Sequence, residues 1–378
     1  MTILVYTSED TGHNLEYFGH IYQHICTRRP EDLFVFCGPS RVRALTKLLA
    51  LPPLKNVLFD CFSEAEETAM KRSNVVARSF SICSSIRVRV RRYGVRFVYA
   101  QSLIHLLPAA PFTLPRRVQV VGIIYKIFLY GWHQASMRSK VLDGLKFSLL
   151  SRSRVIRKVF MLNDAASARI LNRRYHTDKF SGLVDPYCPL PKARLGFRSR
   201  YQIGEDKRLF LHFGSLGMRK GTLEVIDSLA LLNPEQQSRY AFVFAGDVEP
   251  DIRRQFKDKI EALVNHNITV IDHFLPYEEL SDMLLAGDTI LAPYNDTDRS
   301  SGLVAYASEY GIPIIAPCNG LVGKLVRRNH LGIVIPEVTP EELAKAYDQL
   351  DKCEKPSKSY CTSHSVAVFA EQISDSLR

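Results

Sequence analysis

Between residues 208 and 349, short runs rich in valine, isoleucine and phenylalanine alternate with helical patterns, and that alternation leaves few folds open. The runs read RLFLHFG, YAFVFAG, ITVIDHF, DTILAPY, IPIIAP and GIVIP. Helices are predicted over 220–232, 251–264, 277–285, 322–328 and 340–350, with a further one starting at Ser300–Gly302. Strands this uniformly apolar need cover on both faces, which a parallel sheet flanked by helices supplies. A doubly wound sheet of this kind gathers ligands at the carboxyl ends of its strands. The loops after RLFLHFG, ITVID, DTILAPY and IPIIAP are therefore expected along one rim.

The first half alternates more loosely, with predicted strands ILVYT, LFVFC, VRFVYA, VQVVGII and KVFML and helices NLEYFGHIYQHI and DAASARILNRR. At 378 residues, 46% apolar and 24% charged, the chain exceeds one comfortable core and two globular domains are expected. The stretch 185–207 carries three prolines and little periodicity and reads as a linker. The start MTILVYTS reads as a first strand and not as a leader, so a cytoplasmic protein is expected. The longest apolar candidate, VQVVGIIYKIFLYGW, is interrupted by Lys126, so no transmembrane helix is expected. The eight cysteines form no Cys-x-x-Cys pair and no cluster with histidine; buried free thiols are expected, and no metal.

Charge is divided unevenly. Residues 1–185 hold 28 Lys+Arg against 13 Asp+Glu, and residues 186–378 hold 22 against 26. Two segments of the first half, 71–92 and 138–158, carry seven basic residues each. A basic helix with an apolar face suits an anionic membrane surface, and also a solvated outer face. Nucleic acid is not expected, because no zinc-finger, helix-turn-helix or RNA-binding aromatic motif accompanies the charge.

Two motifs meet on the predicted rim. In DRSSGLVAYASEYGIPIIAP, Ser300, Ser301 and Gly302 precede a helical face of Leu303, Tyr306, Ala307 and Tyr310, with a serine as the expected N-cap. Such a start is an ordinary capped helix, or a set of amides and a positive dipole end for a phosphate. In SLGMRKG, Arg219 and Lys220 stand at a strand-to-helix turn. Two cations opposite a helix start suit a diphosphate.

The ordered series G-x-L-x-x-R-K-G, FAG, D-x-F-L-P-x-x-E-L, APY, S-S-G-L-V and G-I-P-I-I-A, over about residues 207–336, resembles the C-terminal half of retaining glycosyltransferases of family four, of the polysaccharide-assembly type. The resemblance implies an α/β protein of the GT-B fold: two doubly wound Rossmann-like domains facing across a cleft, with a C-terminal helix crossing back. On that pattern residues 1–187 form an acceptor-binding domain, 188–206 a linker, 207–360 a nucleotide-sugar-binding domain and 361–378 the returning helix. It also implies a nucleotide-diphosphate sugar as co-substrate, no required cofactor or metal, and a saccharide or lipid-linked acceptor at the inner face of the plasma membrane, as in capsule or lipopolysaccharide assembly.

Carried over by residue, Lys220 and Arg219 would hold the diphosphate, with Gly214 and Ser215 at the turn before them. Ser300, Ser301, Gly302 and Leu303 would meet its distal phosphate, Ile271, His273 and Phe274 would lie by the base, and Asp298 and Tyr306 fill the slots where the family carries paired glutamates. Gly12, His13 and Asn14 after the first strand are the acceptor-side candidates, with His13 orienting the acceptor or acting on its proton. The chain departs from the pattern at three places. Tyr306 replaces a ribose-binding glutamate, so the ribose contact is rebuilt or donor affinity reduced; Ser215 replaces an arginine; and GIIYK replaces a strand ending in histidine. Two rival readings stay open: a sugar-nucleotide 2-epimerase of the same fold, and a degenerate, membrane-associated scaffold.

Overall fold

Each apolar run forms a strand, most of them buried on both faces while the edge strands formed by ITVI and GIVI are partly exposed, and every strand pairing described is parallel. The computed structural model describes residues 1–9, 13–71, 74–132, 135–193 and 195–378, with His13 and Asn14 described through their backbone alone. The chain divides into two compact units, Met1–Pro186 with Ser365–Arg378, and Tyr187–His364.

The first unit holds β1 (Thr2–Tyr6), β2 (Leu33–Cys37), β3 (Val57–Phe59), β4 (Phe97–Ala100), β5 (Gln119–Ile124), β6 (Ile156–Leu162) and β7 (Phe180–Leu183), in the order β3-β2-β1-β4-β5-β6-β7. The second holds β8 (Arg208–Phe213), β9 (Tyr240–Ala245), β10 (Asn267–Ile271), β11 (Thr289–Leu291), β12 (Ile314–Pro317) and β13 (Gly332–Ile335), in the order β10-β9-β8-β11-β12-β13. Both are doubly wound α/β sheets, as the alternation predicts. In each the winding reverses beside the first strand, between β1 and β4 and between β8 and β11. Side chains at the carboxyl ends of those pairs border the crevice where such sheets take ligands.

β3 and β7 are strands the sequence reading omits. The helix expected over 220–232 is instead a 3-10 turn, Met218–Lys220, followed by helix Thr222–Leu229. Gly221 between them has φ +68, and a Cβ there would lie 2.1 Å from Pro293 O, so a side chain is excluded by both backbone angle and space.

The basic segments also resolve differently. Segment 71–92 feeds helix Val75–Tyr93, but Arg89 is buried and bonded to Asp60 (3.0 Å) and Glu66 (2.7 Å), and Arg92 pairs with Asp60 at 3.1 Å. Segment 138–158 is not one helix: helix Met137–Arg152 ends at Ser153, and Ile156 begins β6. Among the cysteines Cys188 is exposed, Cys318 and Cys353 are half-buried and the other five are buried, which corrects the expectation of uniform burial. Among the described residues no helix is long and apolar enough to cross a membrane.

Residues 188–206 fall within the second unit. Phe197 is buried there, and the Arg198 guanidinium donates to Ala286 O at 2.9 Å and pairs with Asp288 at 2.9 Å. The terminal helix Val366–Ser376 belongs to the first unit. Its Phe369 and Ile373 are fully buried, the Phe369 ring lies 5.1 Å from Tyr17, and Gln372 Oε1 accepts from Val184 N at 3.0 Å.

Candidate functional site

At the reversal point of the second sheet, the turn after β8 and the loop after β11 are bound together through backbone groups. Asn295 N donates to Arg219 O at 2.9 Å, and the Asn295 amide donates to Met218 O and Glu224 Oε1, both at 2.8 Å. Gly214 extends β8 with φ +95, and its N donates to Ala245 O at 2.8 Å. A Cβ on Gly214 would fall 2.2 Å from Lys220 Nζ, and one on Gly246 would fall 2.1 Å from Gly214 O. Glycine at 214 is what lets the lysine ammonium lie against the strand end.

Lys220 is only 8% exposed, yet its Nζ has a donor's partner in Phe213 O at 2.8 Å. Burial, reinforced by the charge of Arg219, lowers its pKa to about 8 against the opposing pull of Glu249. Arg219 and Lys220 both approach the Tyr294 ring, at 5.6 and 6.0 Å from its centroid, within reach of a cation–π attraction. The Tyr294 hydroxyl in turn shares a hydrogen bond with Ser301 Oγ at 2.9 Å. One buried tyrosine thus links both cations to the start of helix Leu303–Tyr310.

That start differs in detail from the expected serine cap. Gly302 is the capping residue, in right-handed helical geometry and without a side-chain cap, while Ser301 Oγ accepts from Leu303 N at 3.4 Å. Gly302 is exposed, and a Cβ added there meets nothing within 4 Å. The space beside Gly302, at the positive dipole end of the helix, is open.

Behind the cations lies His212, fully buried. Its Nδ1 is 3.2 Å from Leu291 O, a pure acceptor, and its Nε2 3.0 Å from Thr222 Oγ1. Nδ1 therefore carries the proton and Thr222 donates to Nε2. Burial and then the Lys220 charge drive its pKa down to about 3, so it adds no charge to the site.

Residues 195–363 match the family model of glycosyl transferases group 1. Solved structures align over nearly the whole chain. HepE of Anabaena, in complex with UDP-glucose, gives a TM-score of 0.70 at 16% identity, covering 100% of this chain and 99% of that one. This is the GT-B fold. WaaG, a glycosyltransferase involved in lipopolysaccharide biosynthesis, gives 0.66 at 15% identity over 99% of each chain. A UDP-GlcNAc 2-epimerase from Neisseria meningitidis bound to UDP-GlcNAc gives 0.61 at 12%, covering 100% and 99%. No curated protein matches the chain in sequence.

Within this GT-B chain the second unit brings Gly214, Arg219, Lys220, Ser301, Gly302 and Leu303 to one reversal point. Leu303 is buried, and its amide donates to Ser301 Oγ. Ser300 is half-buried, and Asp298 is buried with Arg299 Nε 3.7 Å from its carboxylate. Ser215 is exposed and its hydroxyl donates to Glu249 Oε1 at 2.6 Å, occupying the place of the expected arginine with a neutral group. Tyr306 packs its ring 6.2 Å from Phe213 and 6.1 Å from Tyr187, an aromatic wall where the resemblance implies a carboxylate. Ile271 is buried at the end of β10, whereas His273 and Phe274 are exposed. Gly12 lies outside the described residues, as do the side chains of His13 and Asn14. Among the described residues no group of His, Cys, Asp and Glu could hold a metal.

Sequence reasoning misses Tyr294, Glu249 and His212. The APY motif placed Tyr294 on the rim, but only the tertiary contact shows that it bridges Lys220, Arg219 and Ser301.

Proposed function

We propose that the protein transfers a sugar from a nucleoside-diphosphate sugar, of the UDP-sugar class seen with HepE, to a hydroxyl acceptor with retention of anomeric configuration. The observation that carries this reading is the pair of cations joined through Tyr294 to an open helix start, inside a domain of the glycosyl transferases group 1 type. Transfer builds negative charge on the departing diphosphate. Lys220, Arg219 and the helix start at Ser301 and Gly302 are in place before the reaction begins, so they stabilise that charge with little reorganisation. A phosphate oxygen of the leaving group can accept the proton of a hydroxyl attacking on the same face, which gives retention without a carboxylate pair. These fixed positive groups make a metal unnecessary in this reading.

Incubation with a panel of UDP-, GDP- and ADP-sugars plus saccharide acceptors tests it. Net transfer with an unchanged anomeric coupling, persisting in EDTA, is the expected result. Isomerised donor without transfer would instead establish the epimerase reading that the shared fold leaves open. Absence of binding to every donor, by calorimetry, would leave the scaffold reading motivated by Tyr306 and Ser215.

The acceptor is proposed to be lipid-linked, at the inner face of the plasma membrane. On helix Met137–Arg152 the side chains of Met137, Val141, Leu142 and Leu145 are each more than half exposed, while Phe147 and Leu150 are buried on another face. Arg138 and Arg152 are exposed on the same helix, and Arg154 and Arg157 follow it. Exposed apolar and cationic groups together fit a bilayer with anionic headgroups, where each cation adds about 1 kcal/mol. The protein should sediment with phosphatidylglycerol vesicles and not with phosphatidylcholine vesicles, and be released by salt. Leu142→Glu with Leu145→Glu should weaken this binding at least about ten-fold, as expected for inserting two charges into the apolar contact; vesicle binding unaffected by salt and by both changes would remove the proposed surface.

A further inference from the structure

At the end of the first sheet opposite its crevice, the amino ends of β5, β6 and β7 border a groove of about 540 Å³. Arg152, Arg154, Arg157, Lys158 and Lys179 line it against one carboxylate, Asp178, with Ile156 as the apolar residue among them. The cations come from separate elements. Arg152 closes helix Met137–Arg152, Arg157 and Lys158 lie at the start of β6, and Lys179 directly precedes β7.

Neighbouring residues of a regular strand point to opposite faces. Here the register of β5 against β6 slips, with Val120 opposite Ile156 and Val121 opposite Lys158, so Arg157 is an extra residue in the pairing. Both Arg157 and Lys158 thereby reach the one groove. The Arg157 guanidinium lies 5.5 Å from the Phe97 ring centroid, an attraction that occupies none of its N–H donors. The Lys179 ammonium donates to Ser153 O and keeps two further N–H groups. Burial lowers its pKa against the pull of Asp178, so a bound anion favours its charged form.

None of the five cations forms an ion pair among the described residues. Arg208, which opens β8 in the second sheet, is by contrast paired with Asp351, and Asp375, near Arg157 and Lys158, is taken by Arg378 at 3.4 Å. The negative end of the helix dipole accounts for Arg152 and Arg154, but not for the three cations on the strands. One phosphate monoester, at about −1.5 to −2, neutralises only about half of the groove's positive excess. We propose that the groove binds a compound with two clustered phosphates, Gln119 supplying a neutral amide beside the cations. The phosphates belong either to a soluble diphosphate or to a lipid headgroup. The site shares Arg152, Arg154 and Arg157 with the surface assigned above to the bilayer, but it rests on neither that reading nor the transfer reading.

Calorimetry with inorganic pyrophosphate tests the site in a Lys220→Ala background, which weakens the diphosphate site of the second unit. Pyrophosphate should still bind, less tightly as salt rises. Adding Arg154→Gln with Lys158→Gln should cost at least about ten-fold in affinity, the worth of one charge-assisted hydrogen bond. These changes remove unpaired like charges, so the melting temperature should not fall. Phosphatidylcholine vesicles carrying cardiolipin, which clusters two phosphates, compared with vesicles of equal charge carrying phosphatidylglycerol, separate the sources. A preference for cardiolipin that the groove changes abolish assigns the site to a headgroup; pyrophosphate binding without that preference assigns it to a soluble diphosphate. No pyrophosphate binding in the Lys220→Ala background, or binding indifferent to the groove changes, overturns the site. Leu142→Glu with Leu145→Glu should leave pyrophosphate binding intact, so the bilayer reading and this site can fail separately.

Discussion

Lys220→Ala lowers sugar transfer by about two to three orders of magnitude, the loss seen when one fixed charge-stabilising donor is removed from a leaving group or oxyanion. The variant stays folded. Lys220 is a buried cation whose neutral form is favoured by its surroundings, and its own hydrogen bond, to Phe213 O, is worth about 1 kcal/mol. Loss of that bond is set against relief of a buried charge, so the melting temperature should move little while kcat collapses.

The same residue gives the site a pH signature. In the free protein its pKa is about 8, and a bound diphosphate favours the charged form, so the complex keeps its proton to higher pH. Affinity for UDP should therefore fall as pH rises above about 8, and calorimetry should show proton uptake on binding there. Both effects should vanish in Lys220→Ala. For folding the sign is opposite to that of a salt-bridged lysine. The unfolded chain, with an ordinary lysine pKa near ~10.4, binds more protons than the native protein between that value and about 8, so this group's contribution to stability rises with pH across the window. A pH-independent UDP affinity in the native protein, or full turnover by Lys220→Ala, would take the lysine out of the mechanism.

Arg89→Ala destabilises the first unit by about 3–5 kcal/mol, the usual cost of deleting one partner from a buried ion-pair network. The guanidinium donates to Asp60 Oδ1 and O, Glu66, Ser85 and Cys61 O, so its removal strands two carboxylates and several backbone acceptors. Burial alone would raise Glu66, but hydrogen bonds from Arg89, Ser85 and the Ser63 amide outweigh it and bring its pKa to about 2. A depressed carboxylate stabilises the fold above its unfolded pKa of about 4.3 and loses that contribution as pH falls toward about 2. Denaturant titrations should thus show acid sensitivity in the native protein over that window and a flatter profile in Arg89→Ala. A change under about 1 kcal/mol would mean that the network only breaks even with its desolvation.

These cases show what can be read from residues alone. The second sheet is legible because its strands are short, largely apolar runs separated by amphipathic helices. β3 and β7 are not: VLF has three residues, and FSGL places Ser181 and Gly182 inside the strand, which breaks the pattern that marks the others. Arg219 and Lys220 are legible as cations at a turn, but the burial of Lys220 depends on Gly214, Phe213 O and a tyrosine 74 residues further along. Arg89 reads as one member of a surface charge run because its acidic partners, Asp60 and Glu66, lie outside the helix that carries it. Arg157, Lys158 and Lys179 read as scattered surface charge, and only the pairing of β6 with the short strand β7 brings them to one groove.

The membership of helix Val366–Ser376 in the first unit imposes an order on biosynthesis. A nascent chain can fold residues 187–364 while its own amino-terminal core still lacks Phe369 and Ile373, so the earlier-made unit is the later one to finish. Premature termination near residue 360 would leave apolar surface of the opening helix His13–His24 uncovered, and a stop codon far from either crevice would act as a folding defect of the beginning of the protein.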